Sequence, residues 1–522
     1  ISRLMSQDAA TVKYSADKGN GSYSNPIIHA DYSDPDVVRV GTTYYMTASS
    51  FNCVPGLPIL RSKDLVNWEL IGYALKNLPS TFDQPMHGKG VWAPCIRYHD
   101  AKFWIFYGDP DSGLFVVSAT DPSGAWSEPH LLKSGKGLID PSPLWDDDGK
   151  MYIVHSWAKS RAGFNGVLTL REVDVKSMTI IGDSINIYYG KDKNPTVEGP
   201  KFYKRNGYYY IFAPAGGVKN GWQIALRSKT VTGTYEEKVV LNQGTTIVNG
   251  PHQGAWVETP NGESWFIHFQ QKGSYGRVVH LQPMAWEDDF PCIGLDHDGD
   301  GIGEPVMQYK KPNLKSTNSS STGIIIDDFN QKLGLMWQSP ANTKKEYYSL
   351  EAREGYLRLF SSPAVGRNLW HYPNLLLQKL PYESFCATTE IDPLKLNIGD
   401  LTGLVVMGKS YSFVGIRRTK NGMKMIKVNC ADADKAGDEK IEEEVDIPTD
   451  NVSLRVEVKK NSVCAFSFSY SGKPFKRIGS EFRAAEGLWI GAKLGLFTLG
   501  GTIKNKLSYS DINYFRIEKV CQ

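Results

Sequence analysis

The chain has 522 residues, 59 Lys and Arg against 56 Asp and Glu, and a net charge of +3. That length exceeds what one core supports, so two or three domains are expected, and the near-neutral balance argues against a nucleic-acid or strongly acidic partner. No apolar run approaches the roughly 20 residues that a membrane span needs, while 12% aromatic residues with 50 Gly and 28 Pro suit turn-rich β structure.

Residues 1–20 are polar and read as an N-terminal tail rather than a signal peptide. A periplasmic or secreted protein whose signal has already been removed is the expected setting. The seven cysteines, at 53, 95, 292, 386, 430, 464 and 521, are odd in number and lack metal-ligand or redox spacing. They are expected as free thiols.

From residue 21 onward one frame repeats five times: a short opening, a strand, a polar turn and an aromatic strand. Asp34-Pro35-Asp36-Val37-Val38 leads to Tyr44-Tyr45-Met46-Thr47. Trp92-Ala93-Pro94-Cys95-Ile96 leads to Phe103-Trp104-Ile105-Phe106-Tyr107. Asp140-Pro141-Ser142-Pro143 leads to Met151-Tyr152-Ile153-Val154, and Glu198-Gly199-Pro200-Lys201 to Tyr208-Tyr209-Tyr210-Ile211-Phe212. His252-Gln253-Gly254-Ala255-Trp256 leads to Trp265-Phe266-Ile267-His268-Phe269. Each is a β-hairpin signal, and a recurrence of about 50–60 residues fits one four-stranded propeller blade. The spacing predicts a five-bladed β-propeller over 21–315. With the openings on the innermost strands, Asp34, Trp92, Asp140, Glu198 and His252 converge near one mouth of the channel. Clustered carboxylates there suggest glycoside hydrolysis.

Towards the end of this region, Asp296-His297-Asp298-Gly299-Asp300-Gly301 with Glu304 resembles the start of a calcium loop. The twelfth position is Met307 where an EF-hand needs Glu, so a tight polar turn is the expected reading. A flexible linker follows over 316–323. Residues 324–522 alternate again, as in Val452-Ser453-Leu454-Arg455-Val456-Glu457-Val458 and Val463-Cys464-Ala465-Phe466-Ser467-Phe468. They read as a β-sandwich, and the whole chain as all-β.

The strings of the first domain resemble glycoside hydrolase family 43. They are Asp34-Pro35-Asp36-Val37-Val38, Ser62-Lys63-Asp64-Leu65-Val66-Asn67-Trp68, Val91-Trp92-Ala93-Pro94, Ile139-Asp140-Pro141-Ser142-Pro143, Val197-Glu198-Gly199-Pro200 and Gly276-Arg277-Val278-Val279-His280-Leu281-Gln282-Pro283. The second domain is similar to the concanavalin-like jelly roll of that family's β-xylosidase and arabinofuranosidase branch. The resemblance implies inverting hydrolysis of an oligo- or polysaccharide with no required cofactor. It implies Asp34 as general base, Glu198 as general acid and Asp140 as the residue that raises and orients the acid. It places Arg277 on the sugar and the base, and Trp92 as a stacking wall. Phe51 and Trp157 are candidates for further pocket wall. His252 matches a channel histidine near a calcium or a water network, so a structural calcium is a possibility.

Exo action on terminal α-L-arabinofuranosyl groups of arabinoxylan, arabinan or xyloglucan is the expectation. A β-D-xylosidase or dual-activity enzyme is the alternative, and a non-catalytic glycan-binding propeller is the alternative of another class. Oligomeric state has no signal in the sequence.

Overall fold

The computed structural model describes residues 12–314, 323–330, 332–363, 366, 368–448, 450–500 and 507–520. Its first domain is five antiparallel sheets, one for each repeat. From the channel outward, blade I holds Asp36–Val40, Thr43–Thr47, Gly56–Ser62 and Asn67–Leu75. Blade II holds Trp92–His99, Lys102–Asp109, Gly113–Ala119 and His130–Ser134. Blade III holds Leu138–Trp145, Met151–Trp157, Val167–Asp174 and Thr179–Tyr189. Blade IV holds Lys201–Arg205, Tyr208–Ala215, Trp222–Ser228 and Glu236–Leu241; blade V holds His252–Glu258, Ser264–Gln271, Arg277–Glu287 and Phe290–Ile293.

Part of the segment expected as a tail belongs to this fold. Val12–Ser15 pairs with Asn67–Leu70 on the outer edge of blade I, because Tyr14 buries its ring edge-on to Tyr32 and its hydroxyl meets that of Tyr32 at 3.1 Å. Residues 1–11 lie outside the described part, as does the expected linker except for Gly323.

The turns explain the hairpins. Between the inner strands of blade IV, Asn206 and Gly207 have φ of 51° and 73°. This is the two-residue turn whose twist matches paired strands. Blade II places Asp100 and Ala101 there at 50° and 55°.

Around the channel, side chains lock one blade to the next. The Asp36 carboxylate of blade I accepts from Ile96 N at 2.7 Å and Arg97 Nη1 at 2.8 Å in blade II. Ser142 of blade III accepts from Phe202 N of blade IV at 2.9 Å and from Arg97 Nη2 at 3.3 Å. Lys201 of blade IV is buried and donates to Pro94 O of blade II at 2.8 Å. The chain ends of the propeller are tied where Ser22–Ser24 pairs with Gln308–Lys310.

The second domain is two facing sheets, of nine and seven strands. The central strands of the first include Tyr509–Lys519, Phe385–Asp392, Val452–Lys459 and Val463–Tyr470; those of the second include Lys493–Gly500, Leu401–Met407, Tyr411–Thr419 and Gly422–Cys430. Leu454, Val456, Phe466, Leu404, Val414 and Leu496 meet between them in one core. Tyr275 and Val278 of blade V pack into that same core. The domains also exchange backbone hydrogen bonds, Val54 N to Ser339 O at 2.9 Å and Ser339 N to Val54 O at 2.7 Å. His87 stacks on Trp370 at 3.6 Å, and burial lowers its imidazole to about 4. Trp337 lies buried against Phe515.

Candidate active site

Each blade contributes one left-handed residue at the mouth. Asp34, Ala93, Asp140, Gly199 and Gln253 have φ of 55°, 31°, 57°, 56° and 37°. Four of them precede a proline, Pro35, Pro94, Pro141 and Pro200, where extended backbone is otherwise preferred. For a non-glycine residue this costs on the order of 1–3 kcal/mol. Strand pairing slips at the same place in three blades, between Trp92 and Cys95, Ile139 and Ser142, and His252 and Gly254. Such bulges re-aim side chains.

This corrects the expected frame. Asp34 and Asp140 occupy equivalent positions, but Trp92, Glu198 and His252 stand one residue earlier, beside Ala93, Gly199 and Gln253. Trp92 and Glu198 still reach one cavity with Asp34 and Asp140, and His252 bonds Glu198 behind it. Gly199 is glycine for a reason beyond its φ: a Cβ there would lie 2.7 Å from the Gln253 side chain.

Asp34, Phe51, Trp92, Asp140, Glu198 and Arg277 line one cavity of ≈ 490 Å³, counting the space at its open mouth. Asp34 is held on both oxygens. Arg277 Nη1 donates at 3.1 and 3.3 Å, Ser33 Oγ at 2.9 Å and Ser49 Oγ at 2.5 Å. The guanidinium and two hydroxyls fix the orientation of the carboxylate.

Asp140 lies deeper. Ser156 Oγ donates to it at 2.6 Å and Gly199 N at 2.8 Å, both to Oδ2. It therefore holds the peptide next to Glu198. Burial, and then the charge of Glu198, push the Asp140 carboxyl up to about 7. Glu198 Oε1 stands 3.2 Å from His252 Nε2, and its side chain is 31% exposed towards the cavity.

Two expected residues do not line the cavity. Trp157 does not line the cavity: its indole donates to Thr169 Oγ1 at 2.8 Å and its ring packs on Phe164. It follows Ser156, so it stands one residue behind the group that holds Asp140. His252 is wholly buried with Nδ1 unpartnered. Among the described residues its surroundings offer one carboxylate, Glu198, beside the nitrogen-bearing rings of His252 and His268. That donor set does not fit calcium, which takes six to eight oxygens. Asp296, Asp298 and Asp300 do group within 4.8 Å of one another, all exposed. Asp296 accepts from Gly299 N and Gly301 N at 2.7 and 2.9 Å, as a tight turn requires.

The sequence reading missed four contributors. Ser33, Ser49 and Ser156 are ordinary serines in the chain and become functional only through what they face. Trp489 comes from the sandwich, in a loop between Gly487 and Gly491. Its ring meets Trp92 edge-on at 6.0 Å, and Trp92 in turn meets Phe51 at 6.1 Å. A tryptophan flanked by glycines was its one signal.

Comparisons with known proteins identify the family. Residues 23–291 match the model of glycosyl hydrolases family 43, and residues 326–518 that of the beta xylosidase C-terminal concanavalin A-like domain. A relative from Xylanibacter ruminicola, named for beta-xylosidase activity, is 38% identical over 92% of this chain and 87% of its own. A non-reducing end alpha-L-arabinofuranosidase of Bacteroides ovatus is 30% identical over 80% of each chain. The crystal structure of a xylan beta-1,4-xylosidase from Bacillus halodurans shares the fold, with a TM-score of 0.85 at 24% identity over 95% of this chain and 100% of that one. The chain belongs to glycosyl hydrolase family 43, a glycosidase whose five-bladed propeller is followed by that family's concanavalin A-like domain.

Proposed function

We propose that the protein is an exo-acting, inverting glycosidase that removes one terminal pentose from a hemicellulose chain or side chain. Asp34 deprotonates the attacking water, Glu198 protonates the leaving oxygen, and Asp140 holds Glu198 in place and shares its proton economy. The observation that carries the reading is the convergence of these three carboxylates on one cavity, with Arg277 bonded to Asp34 alone among them. Inversion needs room for water between base and sugar, with the two carboxyls about 6.5–9.5 Å apart. Trp92 and Trp489 narrow the mouth from two domains, which favours one terminal sugar over a polymer lying through a groove.

A β-D-xylosyl leaving sugar is supported by the name of the 38% identical relative and by the type of the second domain. A terminal α-L-arabinofuranosyl group is the second reading, supported by the Bacteroides ovatus relative. Side-by-side assays on the nitrophenyl glycosides of both sugars decide between them, and proton NMR of the first-formed anomer reports inversion. Asp34→Asn and Glu198→Gln are each expected to lower kcat at least 10³-fold, an order-of-magnitude figure for lost acid–base chemistry, with the fold kept by circular dichroism. Wild-type turnover in either variant overturns the assignment. Release from neither substrate by the wild type returns the glycan-binding alternative.

A further inference from the structure

Behind the cavity wall, one buried carboxylate joins the two domains. Asp31 is 4% exposed. Its Oδ1 accepts from Arg277 N at 2.9 Å, and its Oδ2 from Gly491 N at 3.0 Å. Gly491 closes the sandwich loop that carries Trp489. Beside it, Ala492 N donates to Ser274 O at 2.7 Å. The packing leaves no slack: a Cβ on Gly491 would lie 2.6 Å from Gly276 N, and one on Gly276 would lie 2.4 Å from the Asp31 carboxyl.

Both tethered segments bear on the reaction. Arg277 reaches Asp34, and Trp489 faces Trp92 across the mouth. The carboxylate is suited to this place because it accepts on both oxygens, whereas an amide presents N–H to one of the two donors. The buried Lys379 ammonium, 4.8 Å from the Tyr32 ring centre, lies close enough to feel the Asp31 charge.

We propose that Asp31 is a positioning residue that fastens the Trp489 loop of the sandwich to the Arg277 segment of the propeller, setting the sugar wall and the base–arginine pair as one unit. The inference rests on the reading of Asp34 as the base. It makes the second domain part of the active site through a bond that touches no substrate.

The test is Asp31→Asn in the full chain, alone and with Trp489→Ala, with kcat/KM followed across pH. The expected result is a loss of kcat/KM of roughly tenfold or more, the scale of a small misplacement at a reacting centre. The acidic limb should move, because the change loosens the segment whose Arg277 side chain bonds the base. The loss should shrink in the Trp489→Ala background, because the two changes act through one loop. Wild-type kcat/KM with an unmoved limb overturns the proposal. So does a loss that is equal in both backgrounds with the limb unmoved, which marks a general folding role. Should Asp31→Asn fail to fold, Gly491→Ala pushes the loop off while keeping the carboxylate, and the same limb shift is expected. Asp34→Asn, run alongside, separates the two readings: activity there overturns the base assignment, while an inactive Asp34→Asn beside an unaffected Asp31→Asn overturns only the coupling.

Discussion

At Asp140 two influences oppose each other. Burial and the Glu198 charge raise its carboxyl to about 7, while Ser156 and Gly199 N–H stabilise the anion. The raised folded value fixes the sign of a stability effect. An unfolded Asp ionises near 3.8, so as pH climbs from there through about 7 the folded state loses stability relative to the unfolded one. Asp140→Asn keeps the shape without that charge. Its melting temperature should exceed the wild type's at pH 8, by the equivalent of about 1–2 kcal/mol, and the advantage should fade towards pH 4. Thermal melts at the two pH values check this, and an equal offset at both contradicts it. The residue types at the centre of the site were legible from the chain, because Asp-Pro and Glu-Gly-Pro recur in frame. Ser33, Ser49 and Ser156 were not, because a serine acquires its role only from the carboxylate it faces.

Polar side chains join the innermost strands in addition to the apolar clusters that pack each blade on the next. Asp36 is the strongest link, with a backbone N–H and the Arg97 guanidinium on one oxygen. Burial works against the Arg97 charge, and Asp36 more than restores it. Asp36→Ala leaves the part-buried Arg97 guanidinium without its counter-ion, which costs about 3 kcal/mol. A urea unfolding curve should show the midpoint fall with little change in slope. A midpoint within error of the wild type would mean that Arg97 finds water or another acceptor. The hairpins at this scale were readable because aromatic strands flank short polar turns. The one-residue offset of Trp92, Glu198 and His252 was not, because which residue of an opening takes the left-handed conformation is decided by packing between folded blades, as where Gly199 meets Gln253.

Across the whole molecule the sandwich is packed into the propeller rather than tethered to it. Tyr275 sits in the sandwich core, its hydroxyl donating to Glu383 O at 2.8 Å and accepting from Ser462 N at 2.8 Å. Residues 1–315 expressed alone should therefore expose Tyr275 and Val278, lose the Trp489 wall and leave one Asp31 oxygen without its partner. The fragment should aggregate or melt well below the full chain and show kcat/KM lower by at least about tenfold, read by calorimetry and the nitrophenyl assay. A stable fragment of full activity would contradict the interface described.

The sequence by itself determined the blade count, the two-domain order, the class of chemistry and the three carboxylates. Each rests on local pattern: alternation, turn residues, and proline-marked openings repeated at one period. Only the tertiary structure decided that Trp489 walls the cavity, that Trp157 does not, and that Asp31 bonds to both domains. Those contacts join residues as far apart as Asp31 and Gly491. No local pattern encodes them, because the energy that fixes them comes from burial and hydrogen bonding between segments that meet only once both domains are folded.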